Sequence, residues 1–465
     1  MEKQRLIVLT DIARGPEVDD MQSALRLLLY SDVIDIEGLI ACTSCFQRKG
    51  ARPENAEILL EIVEAYGKAR ENLLAHSPGY PEAEVLRFAV CCGIPAFGWR
   101  AGIGFAQAKY SDNPGVGKIL EAADREDGRP LWIALWGGAN TLAQAVWQAQ
   151  QTRTEEEFSA FLSRLRICSI SDQNYAGRWL RENFGDRLFY IVTPSDGSRL
   201  GSRSYYRATW PGISGDRSEH GSEDGETRSR GFTGGDFTLI DNAWIERNIT
   251  GVSGYGKLYP YPKYITEGDT PSFLGLIPNG LNEPGRPDFG GWGGRYAFYR
   301  PERGQPGAGE RHPIWTNASD AVFGADGKKH VSPQATIWRW RRAFQSDFAA
   351  RMLWTASPAY GDAPHAPSVR AEKKRLRARP GETLRLAADI ADPDGDALDV
   401  RWYQYREAGT SQAEAAFLPT GRETETLVRV PKGAKGGQIH IIAEAVKIGS
   451  IAVTGYCRFI VDVCR

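Results

Sequence analysis

From Leu6 to Ser195 short apolar runs alternate with segments whose apolar residues recur every three or four positions, and this alternation constrains the fold more than any other feature. LIVLT, IDIEGLIACTS, LWIALW, RLRICSIS and RLFYIVTPS read as strands. DDMQSALRLLLY, PENAEILLEIVEAYG, ANTLAQAVWQAQ and NYAGRWLRENF, lying between them, read as amphipathic helices. Strands joined by crossover helices make a mostly parallel sheet with flanking helices, an α/β domain. In such a sheet ligands sit beyond the carboxyl ends of the strands, so those ends are where chemistry is expected.

They are polar. The first strand runs into Asp11, followed by a Gly-Pro kink and the adjacent pair Asp19 and Asp20 at a helix start. The strand at 131–136 ends in Trp136-Gly137-Gly138 with Asn140 close behind, the next in Asp172-Gln173-Asn174, and the last in Thr193 and Ser195. Carboxylates at a helix start have an ordinary explanation, because Asp caps amide groups and complements the helix dipole. A cation site is the sharper one.

The carboxy-terminal part has a different rhythm. GDAPHAPSVRAEKK reads as a linker, and ETLRLAADI, ALDVRWYQYR, ETLVRVP, QIHIIAEAV and GYCRFIVDV as evenly spaced strands of a β-sandwich. The division expected is an α/β domain over 1–362 and an immunoglobulin-like sandwich over 363–465, the latter an accessory unit with its own core. DPDGD at 392–396 fits a tight turn, with calcium as the rarer reading. The stretch 216–235, polar and glycine-rich, is expected as a surface excursion.

Composition narrows the ligand. With 57 basic and 58 acidic side chains the net charge is −1, which offers no electrostatic footprint for nucleic acid or an acidic membrane surface. No apolar run approaches the ~20 residues that span a bilayer. Thirteen Trp, 18 Tyr and 18 Phe suit the stacking of sugar faces, and a small-molecule or carbohydrate substrate is favoured. Seven scattered cysteines make no disulfide framework, and the pair Cys42 and Cys45 reads as buried small residues rather than a redox motif. The chain is expected in the cytoplasm, or secreted if a signal peptide has been trimmed.

The order of strand, Asp, tight turn, Asp-Asp and amphipathic helix resembles the opening motif of nucleoside hydrolases. DIEGLIA, LWGGANTLAQA, SDQNYAGRW, ATWPGISGD, EGDTPSFLGLIPNGL and GGWGGRY together resemble a nucleoside-hydrolase-like family described as cellulose-binding-protein-like, which carries a carboxy-terminal immunoglobulin-like domain. The resemblance implies a calcium ion held by Asp11, Asp20, Asp269 and the backbone carbonyl of Trp136. Asp11 is then the expected base, Asp19 belongs to the catalytic set, and Asp19 and Asn174 face sugar hydroxyls. All these donors are oxygens, a set that selects a hard cation. Asn140 and Asp172, at neighbouring strand ends, are further candidates for substrate contact.

Two departures from the nucleoside hydrolases stand out. IARGPEV lengthens the connection from Asp11 to the Asp pair, so Glu17 is a candidate for a role otherwise given to Asp19. Gly268 stands where inosine-type enzymes carry a His before the late Asp, which removes their acid for a purine leaving group. None of the six His residues sits in a motif. Asp288, Trp292 and Arg295, in an aromatic loop, suggest a carbohydrate stacked on an indole, or else a structural loop packed by its own aromatics. The function expected is calcium-dependent hydrolysis of an N- or O-glycosidic bond. The alternative is glycan binding on the same fold without turnover, and homo-oligomerisation stays open.

Overall fold

The computed structural model describes residues 2–15, 18–97, 106–194, 207–215, 233–411 and 413–464. Glu17 and Ser195 therefore lie outside the described residues, as does 216–232, most of the expected surface excursion. Five apolar runs form the strands their pattern predicts: β1 (Gln4–Thr10), β2 (Ile34–Ala41), β4 (Leu131–Leu135), β5 (Leu165–Ser171) and β6 (Phe189–Thr193). Three more join them, β3 (Val90–Cys92), β7 (Tyr296–Tyr299) and β8 (Ile314–Asn317). The order is β3-β2-β1-β4-β5-β6-β8-β7, parallel throughout except for β7 against β8. β3, β7 and β8 are three or four residues long, too short for a legible period.

Alternate residues of the strands face opposite layers. Leu6 and Val8 of β1 join a core shared with helices α1 (Asp19–Leu28) and α2 (Pro53–His76). Ile7 and Leu9 join the other core, and α3 (Ala83–Ala89) packs near the sheet edge. That second core is built with α4 (Pro114–Asp124), α5 (Asn140–Thr152), α6 (Glu155–Arg164) and α7 (Tyr175–Phe184). Each fully buried Leu or Ile stabilises by about 1.5–3 kcal/mol, so a one-residue slip of β1 would exchange both layers at once. Because β2 and β4 lie on either side of β1, the chain reverses direction across the sheet there. The crevice beyond β1 and β4 is the topological switch point.

The carboxy-terminal residues form two facing sheets. One holds Arg375–Ala378, Thr454–Val463, Gly437–Lys447 and Leu398–Gln404, the other Thr383–Ala387, Glu425–Arg429 and Ala416–Leu418. Val428, Ile439, Ile441 and Phe459 pack between them. The opposite face of the same strands is not solvent: Ile442 and Tyr456, with Tyr405 and Ala408, belong to the core of the first part. Trp340 meets the rings of Tyr405 and Tyr456 edge-on at 5.6 and 5.9 Å. The Tyr405 hydroxyl donates to Asp320 at 2.7 Å, and Arg458 donates to the carbonyls of Leu281 and Gly290 at 2.8 Å. The sandwich thus has a core of its own and also packs its other face into the interior of the first part. Among the described residues no helix is long and apolar enough to cross a membrane.

Candidate functional site

The site is built where β1 ends. Thr10 and Asp11 are buried, and the β1 carbonyl of Leu9 accepts from the amides of both Trp136 and Gly137, which draws the end of β4 alongside. Ser44 donates its hydroxyl to Asp11, and Thr10 donates to Asp20. Gly137 is needed for closeness: a Cβ there would lie 2.8 Å from Asp11 Oδ1 and 2.8 Å from Cys42 Sγ. Cys42 feels the acids directly. Burial first, then the charges of Asp11, Asp20 and Asp269, push its thiol well above the ordinary value, so it stays protonated.

Helix α1 opens with Asp19 and Asp20, where negative charge complements the helix dipole. One face of α1 then grips the turn at Glu267–Thr270. Gln22 accepts from the amide of Glu267 at 2.9 Å, Ser23 accepts from the Thr270 hydroxyl at 3.0 Å, and Arg26 reaches Glu267 at 2.7 Å. Arg26 is fully buried and also donates to Gln345 at 2.8 Å, while Tyr259 donates to the other Glu267 oxygen at 2.7 Å. These contacts hold Glu267 at φ +55°, a left-handed conformation that costs a non-glycine residue on the order of 1–3 kcal/mol. The strained turn sets Asp269, 3% exposed, against the start of α1.

One oxygen each from Asp19, Asp20 and Asp269 lies within 4.8 Å of the others. Three carboxylates this close repel unless a cation or protons offset them, and an all-oxygen set of this kind fits calcium in donor chemistry. The resemblance implies Asp11 with Asp20 and Asp269; the converging oxygens here belong to Asp19, Asp20 and Asp269, and Asp11 lies at Gly137. The Trp136 carbonyl, the fourth expected ligand, accepts from the side-chain amide of Gln173. Gly268 is explained by the same crowding, since a Cβ there would lie 2.6 Å from Asp19 Oδ2 and 3.2 Å from the Trp210 ring.

The remaining expected contacts go elsewhere. Asn174 caps α7, its oxygen accepting from Ala176 at 3.0 Å and from Ala139 at 3.2 Å. Asn140 is fully buried, donating to Thr43 at 2.8 Å and to the Ala96 carbonyl. Asp172 is held by both guanidinium nitrogens of Arg181, at 2.9 and 2.7 Å, in a buried cluster with Glu310. Arg295 pairs with Asp320 at 2.7 Å, and Asp288 with Arg286. Trp292 is 1% exposed, packed edge-on against Phe344 and Tyr456, so it presents no indole face to a sugar. Trp292 is structural, as the second reading of that loop has it, but its aromatic partners come from outside the loop, Phe344 from the helix at 341–354 and Tyr456 from the sandwich. Sequence reasoning missed Ser44, Gln22, Ser23, Arg26 and Glu267; the polar Arg26 inside the apolar run ALRLLLY was the available signal.

Residues 5–296 match the family described as cellulose-binding Sde182, nucleoside hydrolase-like domain, and residues 383–463 match the cellulose-binding protein Sde0182, C-terminal domain. A solved structure of a nucleoside hydrolase-related hypothetical protein from Saccharophagus degradans, described as associated with carbohydrate metabolism, is 30% identical. The match covers 99% of this chain and 100% of that one, with a TM-score of 0.77. None of the curated proteins matches the chain.

Proposed function

The chain belongs to the cellulose-binding, nucleoside-hydrolase-like family, and from that premise we propose that it hydrolyses a glycosidic bond of a carbohydrate at a calcium site formed by Asp19, Asp20 and Asp269. The observation that carries the reading is convergence: carboxylates some 250 positions apart in the chain meet at the switch point of the sheet, where α/β folds bind ligands. Calcium bound there would acidify a water and hold sugar hydroxyls. Asp11, oriented by the Ser44 hydroxyl, would be the carboxylate that accepts a proton from the attacking water. The carboxylates also favour the positive charge that develops on the sugar ring. No side chain at position 268 can protonate the leaving N or O, because the Asp19 oxygen and the Trp210 ring fill that space, so the leaving atom would take its proton from solvent water while Asp11 returns the one it accepted to solvent.

The closed space at Gly268 also favours a second reading, glycan binding without turnover, since it removes one acid from the site. Release of reducing sugar or free base from nucleosides, aryl glycosides and cello-oligosaccharides, with calcium and after chelation, separates the two. Hydrolysis that disappears on chelation is expected. Glycan binding with no release from any substrate would replace the enzyme reading with the binding one.

A further inference from the structure

A second cleft, of about 630 Å³, lies where the end of the first part meets the sandwich, remote in sequence from the carboxylates of the site above. Its size falls within the ~300–1,000 Å³ of small-molecule sites. Tyr360 forms part of its wall and is 42% exposed, yet it is not loose. Its ring lies 3.7 Å from the His365 imidazole and only 4° from parallel. His365 stacks in turn on Trp354 at 5.1 Å and on His76 at 5.2 Å. The imidazole is pinned by Asp394, which accepts from both its backbone amide and its Nδ1 at 2.8 Å. An exposed aromatic plate immobilised in this way loses little side-chain entropy when a ligand stacks on it.

The rest of the wall is polar. The turn at Asp392–Asp396 is closed by Asp392, whose Oδ1 accepts from the amides of Asp394 and Asp396 at 3.0 Å. Its three carboxylates lie together, but Lys447 sits on Asp394 and Asp396, so an ammonium occupies the centre that a metal ion would need. The tight-turn reading describes this loop. With Asp362 on the same wall, three carboxylates face one ammonium, and the cleft is acidic. Burial pushes the His365 imidazole below its ordinary value, so it adds no charge at neutral pH. Such a cleft repels anionic ligands and accepts hydroxyl donors. Ile448 adds an apolar wall, 62% exposed.

We propose that this cleft is a second carbohydrate site, taking a neutral β-linked glucose oligomer with one ring stacked on Tyr360 and its hydroxyls donated to Asp362 and Asp396. The choice of a glycan rests on the family reading above; the location of the site does not. The test is calorimetric titration of the full chain with cellotetraose, and with tetragalacturonate as the anionic comparison. Tyr360→Ala is expected to weaken cellotetraose binding about tenfold, the size of one stacking contact with its buried area. Tyr360→Phe, which keeps the plate, should bind within about twofold of the unmodified chain, and Asp269→Asn should leave this binding event in place. Tetragalacturonate should not bind. Undiminished binding by Tyr360→Ala, with loss in Asp269→Asn, would overturn the cleft and leave the carboxylate site as the glycan site. Absence of cellotetraose binding by the intact chain would overturn the cleft as well, while hydrolysis of small glycosides would still report on the carboxylate site.

Discussion

Acidification should weaken the fold through His440, a side chain in the seam between the two parts. The imidazole is fully buried, meets the Phe289 ring edge-on at 4.4 Å, and its Nδ1 lies 3.0 Å from an Arg458 guanidinium nitrogen. A guanidinium only donates, so Nδ1 accepts and the neutral ring carries its proton on Nε2. Burial, and then the Arg458 charge, hold this imidazole down to about 3. In the unfolded chain it titrates near 6.5, so between these values the unfolded chain binds more protons and stability falls as pH falls. The whole span corresponds to about 5 kcal/mol, and going from pH 8 to pH 5 removes about 2 kcal/mol of it. The measurement is the denaturant midpoint at pH 8, 6 and 5 for the intact chain and for His440→Gln, whose amide oxygen can still accept from Arg458 but does not titrate. His365 shifts in the same direction and is common to both proteins, so it cancels in the comparison. The variant should lose about 2 kcal/mol less between pH 8 and 5. Parallel pH profiles would refute the argument.

Asp269→Asn should lower calcium affinity at least about tenfold, read by terbium luminescence, because it removes one of three converging charges. Asp11→Asn should reduce turnover by about 10²- to 10⁴-fold while sugar binding persists; full turnover on a substrate the intact chain hydrolyses would remove Asp11 as the base. Gly268→Ala should weaken calcium binding with little loss of helical signal, since the added methyl group displaces the Asp19 carboxylate rather than a core side chain. Truncation after Pro364 should yield an aggregating chain by light scattering, because it strips the partners of Trp292 and Trp340; a soluble monomer with one cooperative unfolding transition would show that the first part closes its own core.

Much of the architecture is local in origin and therefore legible in sequence. The apolar runs of β1, β2 and β4 to β6 are bounded by polar strand ends, and their helices repeat at three and four, so each element announces itself within its own residues. The acids Asp11, Asp19 and Asp20 could be suspected for the same reason, since a strand end and a helix start are local features. Family likeness supplied Asp269, which no spacing links to them.

Which polar residues face a ligand and which hold the chain together was decided only by tertiary structure. Asn140, Asp172, Asn174 and Arg295 look like binding groups when read along the chain, and each is taken by a partner that folding brings to it, the Ala139 amide in the case of Asn174. Trp292 looked like a sugar platform because an aromatic in a glycine-rich loop has no local sign of burial; the sandwich, arriving from residues 398–463, covers it with Tyr456. The turn that carries Asp269 depends on Arg26, placed 241 positions away by the packing of α1. Periodicity along a strand or helix is written in neighbouring residues, whereas the pairing of buried charges and the covering of aromatic faces belong to contacts between distant segments. The sequence therefore determined the layers and the strand ends of this protein, and the three-dimensional packing determined which of its polar groups remain for chemistry.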